Sequence, residues 1–244
     1  DFIERDFLEN RFKEIIKKGI IQGATSNPAI FESSISNSVA YKQQLDMLQA
    51  NNAKTIYEEL ALTDIKRAAF LLEKLHKNDN DDGFISIEVD PLLCDDAAGT
   101  IEEGVRLYSQ INAENVMIKV PATEAGYIAM RELTSRGINV NATLIFSPAQ
   151  AVKCAQALDE GINDSNKDIK AVISIFVSRL DRLADSDFAL KGLQTSKLGI
   201  VNATKCYHEI NKFKNSNIRT LFASTGVNGN ELSPSYYIDN LIFP

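Results

Sequence analysis

The feature that most constrains the fold of this chain is a regular alternation of β-rich runs with amphipathic helical patterns. A strand, a helix and a second strand spaced about thirty residues apart are typical of parallel βαβ units. No long linker divides the 244 residues, so we predict a single α/β domain over 1–244. A short apolar run at 20–24 precedes the main β-rich runs, which are 84–89, 116–120, 139–146, 171–177 and 220–223.

Local patterns mark several helix ends. Apolar residues recur with a helical period over 2–16, which predicts one helix that ends at Gly19. The pair Asn27-Pro28 favours a helix start, because Pro is preferred at the first helical position. Thr55 with Glu58 has the pattern of a capping box and predicts the start of a long helix. Further helices are predicted over 123–136, from Ser147-Pro148 to Gly161, and from Ser233-Pro234.

Polar and apolar side chains alternate within the β-rich runs. In 85–89 and 140–144 every second residue is apolar, so each strand has one apolar face. Helices outside a parallel sheet cover that face, and the polar face needs an enclosed interior. A closed (β/α)8 TIM barrel supplies one, and its active site lies at the carboxyl ends of the strands. Polar residues near those ends are Asn27, Glu88, Lys119, Asn141, Thr143 and Ser174.

Composition argues against several classes of function. The chain has 26 Lys+Arg against 33 Asp+Glu, a net charge of −7 and no basic run, so nucleic-acid binding is not expected. The two histidines and three cysteines lack metal-ligand spacing, and no nucleotide-binding glycine motif is present. No apolar stretch is long enough for a membrane span. The odd number of separated cysteines predicts reduced thiols in the cytoplasm.

Lys119 is the first candidate for chemistry. It lies among Met117, Ile118 and Val120 in an otherwise apolar strand. Burial disfavours the ammonium and lowers a lysine pKa, and a neutral amine can form a Schiff base with a ketone. The alternative is a strand-end lysine whose stem covers apolar surface while its ammonium group reaches solvent. The residue pattern leaves both interpretations open.

Glu88, Thr143 and two asparagines are further candidates. A carboxylate near Lys119 can relay protons through a water held by the Thr143 hydroxyl. Alternatively, Glu88 and Lys119 form a buried ion pair that only satisfies both charges. Asn27 and Asn141 offer donors and acceptors for sugar hydroxyls, although Asn27 is also placed to cap a helix.

Arg179 follows the β-rich run 171–177 and is a candidate phosphate ligand. Its guanidinium presents paired donors that could clamp a phosphate together with the Ser174 hydroxyl. The alternative is an ion pair with Asp181 or another neighbour on the following helix.

Three segments closely resemble the motifs of transaldolases. They read GATSNPAIF at 23–31, VMIKVPAT at 116–123 and GINVNATLIFS at 137–147. Segments 85–90 and 174–179 extend the match in the same order, so the resemblance covers most of the chain. It implies a (β/α)8 barrel, a Schiff-base lysine and no cofactor. It also implies transfer of a dihydroxyacetone unit from fructose 6-phosphate or sedoheptulose 7-phosphate to an aldose phosphate, a step of the non-oxidative pentose phosphate pathway.

The resemblance also implies catalytic roles. Lys119 would be the nucleophile, and Asp1 would be the acid and base at the C4 hydroxyl of the sugar. Glu88 and Thr143 would hold the catalytic water.

The binding roles follow from the same motifs. Asn27 and Asn141 would position hydroxyl groups, Ser174 and Arg179 would bind the sugar phosphate, and Phe176 would also belong to the substrate-binding site. Expected partners are therefore sugar phosphates, with the chain as a monomer or a homodimer.

Two departures from the family pattern are visible. Some transaldolases carry an arginine just after strand seven, where this chain reads ASTG at 223–226. If Asp1 ends strand one, the chain supplies strands two to seven. We therefore expect strands one and eight, and both termini of the natural protein, to lie outside these 244 residues.

Two other interpretations remain. Fructose 6-phosphate aldolases share the lysine strand and an Asn-Pro motif but release the dihydroxyacetone unit. The sequence NAT at 141–143 favours the transaldolase branch, because the aldolases resemble Gly-Thr there. A non-catalytic sugar-phosphate-binding relative could also have kept the fold.

Overall fold

The computed structural model describes residues 3–227 and 231–241, so Asp1 lies outside the described residues. Strands and helices alternate along them, which confirms the α/β class. The strands are β1 Ala24–Thr25, β2 Ile85–Glu88, β3 Val116–Pro121, β4 Asn139–Ile145, β5 Ala171–Phe176 and β6 Ile218–Ala223. The helices are α1 Arg5–Glu9, α2 Arg11–Lys17, α3 Pro28–Asn37, α4 Lys42–Leu48, α5 Ala53–Asn78, α6 Ala97–Ile111, α7 Glu124–Ser135, α8 Pro148–Asp164, α9 Ser178–Leu190, α10 Leu198–Asn211 and α11 Tyr236–Leu241.

The chain forms two compact units. The first unit comprises Asp1–Pro91 and Gly99–Lys119, and the second comprises Leu92–Ala98 and Val120–Pro244. In the first unit β1, β2 and β3 are parallel neighbours in that order. In the second unit β4, β5 and β6 are parallel neighbours in that order. This parallel βαβ repeat is that of a (β/α)8 barrel. That the 244 residues form a single domain stays a prediction.

Strands β2 and β3 confirm the predicted apolar face. Ile85 and Ile118 are completely buried. The alternating polar side chains are also shielded, since Ser86 is 2% exposed and Lys119 is 7% exposed. Both faces of this part of the sheet are therefore covered, as in the parallel sheets of α/β proteins.

Two helices of the first unit differ from their predictions, and side-chain hydrogen bonds to the nearby backbone accompany both differences. The first helix is broken at Asn10 (φ −114°, ψ −90°), whose side-chain amide donates a hydrogen bond to the carbonyl of Asp6. The long helix α5 is capped by Asn52, whose Oδ1 accepts the backbone N–H of Thr55 at 3.0 Å. Thr55 therefore lies inside the helix, because the stronger N-cap residue precedes it.

The helices of the second unit agree better with the predicted caps. The side chains of Thr123 and Ser147 cap α7 and α8. However, α8 continues past Gly161, where a Cβ would overlap the Oγ1 atom of Thr134 and the carbonyl of Arg131. Gly161 therefore allows α8 to approach α7 closely and does not end the helix.

Helix α1 is anchored to α5 by a buried polar cluster. Arg5 Nε lies 2.9 Å from Asp64 Oδ1, and Tyr41 Oη donates to Asp64 Oδ2 at 2.8 Å. Burial raises the pKa of Asp64, although its hydrogen bond from Tyr41 and the charge of Arg5 act in the opposite direction. The cluster therefore holds α1, near the beginning of the described residues, against α5 within the first unit.

Candidate active site

Lys119 is enclosed within the first unit. Its Nζ atom donates a hydrogen bond to the carbonyl oxygen of Ser26 at 3.0 Å and lies 3.9 Å from Glu88 Oε2. The side chain of Lys119 is 9% exposed, so the predicted alternative of an ammonium group in solvent is wrong. The amine instead lies near the carboxyl end of a parallel strand, between a backbone acceptor and a carboxylate.

Glu88 faces Lys119 because the two residues pair in register, at the last residue of β2 and two residues before the end of β3. Their 3.9 Å separation exceeds hydrogen-bond length, so they interact through charge. Glu88 also lines a cavity of about 200 Å³ together with Tyr57 and Pro28. Burial, with a smaller contribution from the charge of Glu88, raises the pKa of Tyr57 to about 12. Tyr57 is therefore a neutral hydroxyl near this carboxylate at ordinary pH.

Asn27 caps helix α3, as one of its two interpretations predicted. Its Oδ1 atom accepts the backbone N–H of Ile30 at 3.2 Å, with Pro28 at the first helical position. The cap orients the side chain immediately after Ser26. A contact between Asn27 and the substrate stays a prediction. The amide N–H groups of Asn27 are the donors that could form it.

In the second unit, Asn141 and Ser174 contact each other directly. The hydroxyl of Ser174 donates to Asn141 Oδ1 at 2.7 Å, and the two residues are 3% and 1% exposed, respectively. Strand pairing between β4 and β5 brings them together. The Ser174 hydroxyl therefore donates its hydrogen bond to Asn141. The sequence analysis had considered a phosphate as the partner of this hydroxyl and had not predicted the contact with Asn141.

Strand β4 contains an irregularity that the alternating pattern did not predict. The register with β5 shifts between Ala142 and Ile145, and Leu144 has a left-handed backbone (φ +62°). Such a conformation costs a branched residue about 1 kcal/mol or more, and bulges are frequent beside active sites. The bulge directly follows Thr143, whose carbonyl accepts the N–H of Ala122 at 2.9 Å. The predicted alternation therefore ends at Thr143.

Arg179 lies over an aromatic ring. Its guanidinium carbon is 4.6 Å from the centroid of the Phe176 ring, which in turn packs on Phe146 at 5.3 Å. Within the residues that the structure describes, Arg179 forms no ion pair with Asp181. Asp181 is 1% exposed and accepts the N–H of Gly199 at 3.0 Å. The alternative that paired Arg179 with Asp181 is therefore wrong.

Two residues of these clusters were missed by the sequence analysis. Ser26 provides the acceptor for Lys119, and Phe146 supports the ring beneath Arg179. Both lie inside motifs that the sequence analysis singled out, at the polar end of β1 and just after β4. Asp1, the remaining predicted site residue, lies outside the described residues.

The described parts of the chain show two further features. Across 3–227 and 231–241 no helix combines the length and the apolar character required to cross a membrane. In the same residues no group of three His, Cys, Asp or Glu side chains is arranged to hold a metal ion.

Similarity to known proteins agrees with this arrangement. The family model described as Transaldolase/Fructose-6-phosphate aldolase matches residues 1–244. A protein named Transaldolase from Helicobacter pylori (strain Shi470) is 50% identical over 243 residues, which cover 100% of this chain and 75% of that protein. A protein of the same name from Campylobacter jejuni subsp. jejuni serotype O:23/36 (strain 81-176) is 48% identical over 254 residues, covering 100% of this chain and 76% of its own length. The chain therefore belongs to the transaldolase/fructose-6-phosphate aldolase family.

Proposed function

We propose that this chain is a transaldolase that forms a Schiff base through Lys119. It transfers a dihydroxyacetone unit from sedoheptulose 7-phosphate or fructose 6-phosphate to glyceraldehyde 3-phosphate or erythrose 4-phosphate. The observation that carries the proposal is the buried amine of Lys119, 3.9 Å from Glu88 near the carboxyl end of a parallel strand. Relatives about half identical to this chain are named Transaldolase, which favours transfer over simple release of dihydroxyacetone.

In the first step the neutral amine of Lys119 attacks C2 of the ketose. The nitrogen loses one proton, and the former carbonyl oxygen gains two protons and leaves as water, so the nitrogen becomes a protonated imine. Glu88 is the proposed proton carrier because its carboxylate faces Nζ. Glu88 and Thr143 are proposed to hold the catalytic water between them. The role of Thr143 rests on the family motif alone.

In the second step the protonated imine draws electrons from the bond between C3 and C4. The proton of the C4 hydroxyl passes to Asp1 in the proposed scheme, the bond breaks, and an aldose phosphate leaves. An enamine of dihydroxyacetone remains on Lys119. It attacks the aldehyde of the acceptor, Asp1 returns the proton, and hydrolysis of the imine regenerates the amine.

The remaining residues are proposed to bind the substrate. Asn27 and Asn141 donate hydrogen bonds to sugar hydroxyls. Arg179 binds the phosphate, and its stacking on Phe176 restricts the guanidinium in advance of binding. Ser174 orients Asn141 through the hydrogen bond between them.

The function is tested by trapping the imine. We expect borohydride to reduce the complex with fructose 6-phosphate to a stable secondary amine, which peptide mapping locates on Lys119. Lys170 is an internal control, since its side chain is only 14% exposed but pairs with Asp168 at the start of β5. Modification of Lys170 alone, or no adduct on any lysine, would contradict the proposal and favour a non-catalytic sugar-phosphate-binding protein.

Arg179→Ala tests phosphate binding. We expect KM for fructose 6-phosphate to rise by about tenfold to a hundredfold, because a charge-assisted contact to the phosphate is lost, with a smaller effect on kcat. Steady-state kinetics should also show weaker discrimination between fructose 6-phosphate and fructose. Arg182→Ala is the matched control, since Arg182 is exposed on the same helix. An equal KM increase in both variants would refute the role of Arg179.

Product analysis distinguishes transfer from release. With fructose 6-phosphate but no acceptor, a transaldolase retains the enamine, whereas an aldolase releases free dihydroxyacetone in proportion to turnover.

We further propose that the reaction belongs to the pentose phosphate pathway and occurs in the cytoplasm, where the three free thiols of the chain would stay reduced. The monomeric or homodimeric state and the absence of nucleic-acid binding stay predictions.

A further inference from the structure

The hydrogen bond between Lys119 and Ser26 lies in the buried part of the first unit. The Ser26 carbonyl accepts from Nζ at 3.0 Å, and the residues Ser26 and Lys119 are 2% and 7% exposed. A buried amine requires an acceptor, because an unsatisfied polar group in such surroundings is destabilising. The position of this carbonyl therefore influences the position of the amine.

The Ser26 carbonyl lies just beyond the paired part of β1. The ladder between β1 and β2 ends with the pair Thr25 and Ser86. The next residue, Ser26, donates to the Ser86 carbonyl twice, from its backbone N–H at 3.2 Å and from its hydroxyl at 2.8 Å. Pro28 begins α3 two residues later. The hydroxyl therefore adds a second connection to β2 at the point where the chain leaves the sheet.

We infer that Ser26 is a positioning residue for the Schiff-base lysine. Its hydroxyl fixes the strand end on Ser86, and its own carbonyl then holds the amine of Lys119 in one orientation. This inference rests on the proposed function of Lys119.

The orientation matters because a neutral amine has a single lone pair. When one N–H is donated to a fixed carbonyl, rotation about the Cε–Nζ bond is restricted and the lone pair points in a narrower range of directions. Restricting a nucleophile to a productive geometry before attack lowers the entropic part of the barrier. The carbonyl also favours the ammonium over the neutral amine, because every N–H of the ammonium is a donor and its charge strengthens the bond.

The experiment compares Ser26→Ala, Ser26→Thr and Ser34→Ala in the full chain. The measurements are kcat and KM with fructose 6-phosphate and an aldose phosphate acceptor, and the pH midpoint of borohydride trapping on Lys119. Ser34 is the matched control because it is also a buried serine, 5% exposed, but lies farther along α3. Ser26→Thr keeps a hydroxyl at the same position.

For Ser26→Ala we expect kcat to fall about fivefold with KM near that of the parent. The trapping midpoint should move to lower pH, since a displaced carbonyl stabilises the ammonium less. Ser26→Thr and Ser34→Ala should keep the parent midpoint and kcat. The inference is overturned by a parent-like kcat and midpoint in Ser26→Ala, or by the same changes in Ser34→Ala.

If Ser26→Ala does not fold, Ser26→Cys replaces it, because a thiol is a weaker donor of similar size. A shift of its midpoint to lower pH supports the inference, and an unchanged midpoint overturns it. Failure of the proposed function gives a different result, namely no adduct on Lys119 in the parent protein.

Discussion

We expect Lys119→Ala to lower the rate of dihydroxyacetone transfer by about 10⁴-fold or more, because the variant lacks the amine that forms the imine and so weakens the bond to be cleaved. Retention of the enamine between donor and acceptor requires a covalent link, so general acid and base groups alone cannot rescue the variant. The assay uses fructose 6-phosphate as donor and erythrose 4-phosphate as acceptor, and the rate of transfer is measured as the rate at which sedoheptulose 7-phosphate forms. Borohydride should then trap no adduct.

A folding control is needed because Lys119→Ala removes the cation that faces Glu88. Lys119→Met keeps the length of the side chain without the amine, and it should be equally inactive while retaining the circular dichroism spectrum and thermal unfolding of the parent. Turnover near the parent level in either variant would refute the assignment of Lys119. Lys54→Ala, in the cavity lined by Glu88, controls for loss of a lysine in this unit.

The second large effect is expected for Glu88→Gln. The amide has nearly the same shape as the carboxylate but cannot accept and return a proton, so kcat should fall by about 10²-fold to 10³-fold. Since proton transfer is needed to expel water from the carbinolamine, the rate of borohydride trapping should fall with kcat.

Glu58→Gln is the matched control for Glu88→Gln. Glu58 lines the same cavity but pairs with Arg106 at 2.8 Å, and it has no role in the proposed reaction. We expect its kcat to stay close to that of the parent, and a mass-spectrometric count of the adduct should give the parent yield. Comparable loss of activity in both variants would mean that the cavity, and not the Glu88 carboxylate, determines the rate.

Much of the sheet could be predicted because polar and apolar residues alternate within each β-rich run of the sequence. The alternation in β2 and β3 placed Glu88 and Lys119 near strand ends, and the structure pairs them in register. The helix caps at Thr123 and Ser147 were also predictable, since a capping side chain contacts the backbone only three residues away.

Features that depend on contacts distant in sequence were not predictable. The bulge at Leu144 follows from how β4 meets β5, and the burial of Asp181 follows from its contact with Gly199 at the start of α10. The hydrogen bond from Lys119 to Ser26 joins residues 93 positions apart. The sequence pattern indicates that such a lysine is buried, but it does not specify which atom accepts its hydrogen bond.

That acceptor has an evolutionary consequence. The oxygen that receives the Lys119 N–H belongs to the main chain, so every amino acid at position 26 would carry it. Mutational drift at this codon can displace the oxygen but cannot delete it, whereas a single base change can eliminate the Glu88 carboxylate. Natural variation at position 26 should therefore produce graded losses of fitness, and variation at position 88 should produce abrupt ones.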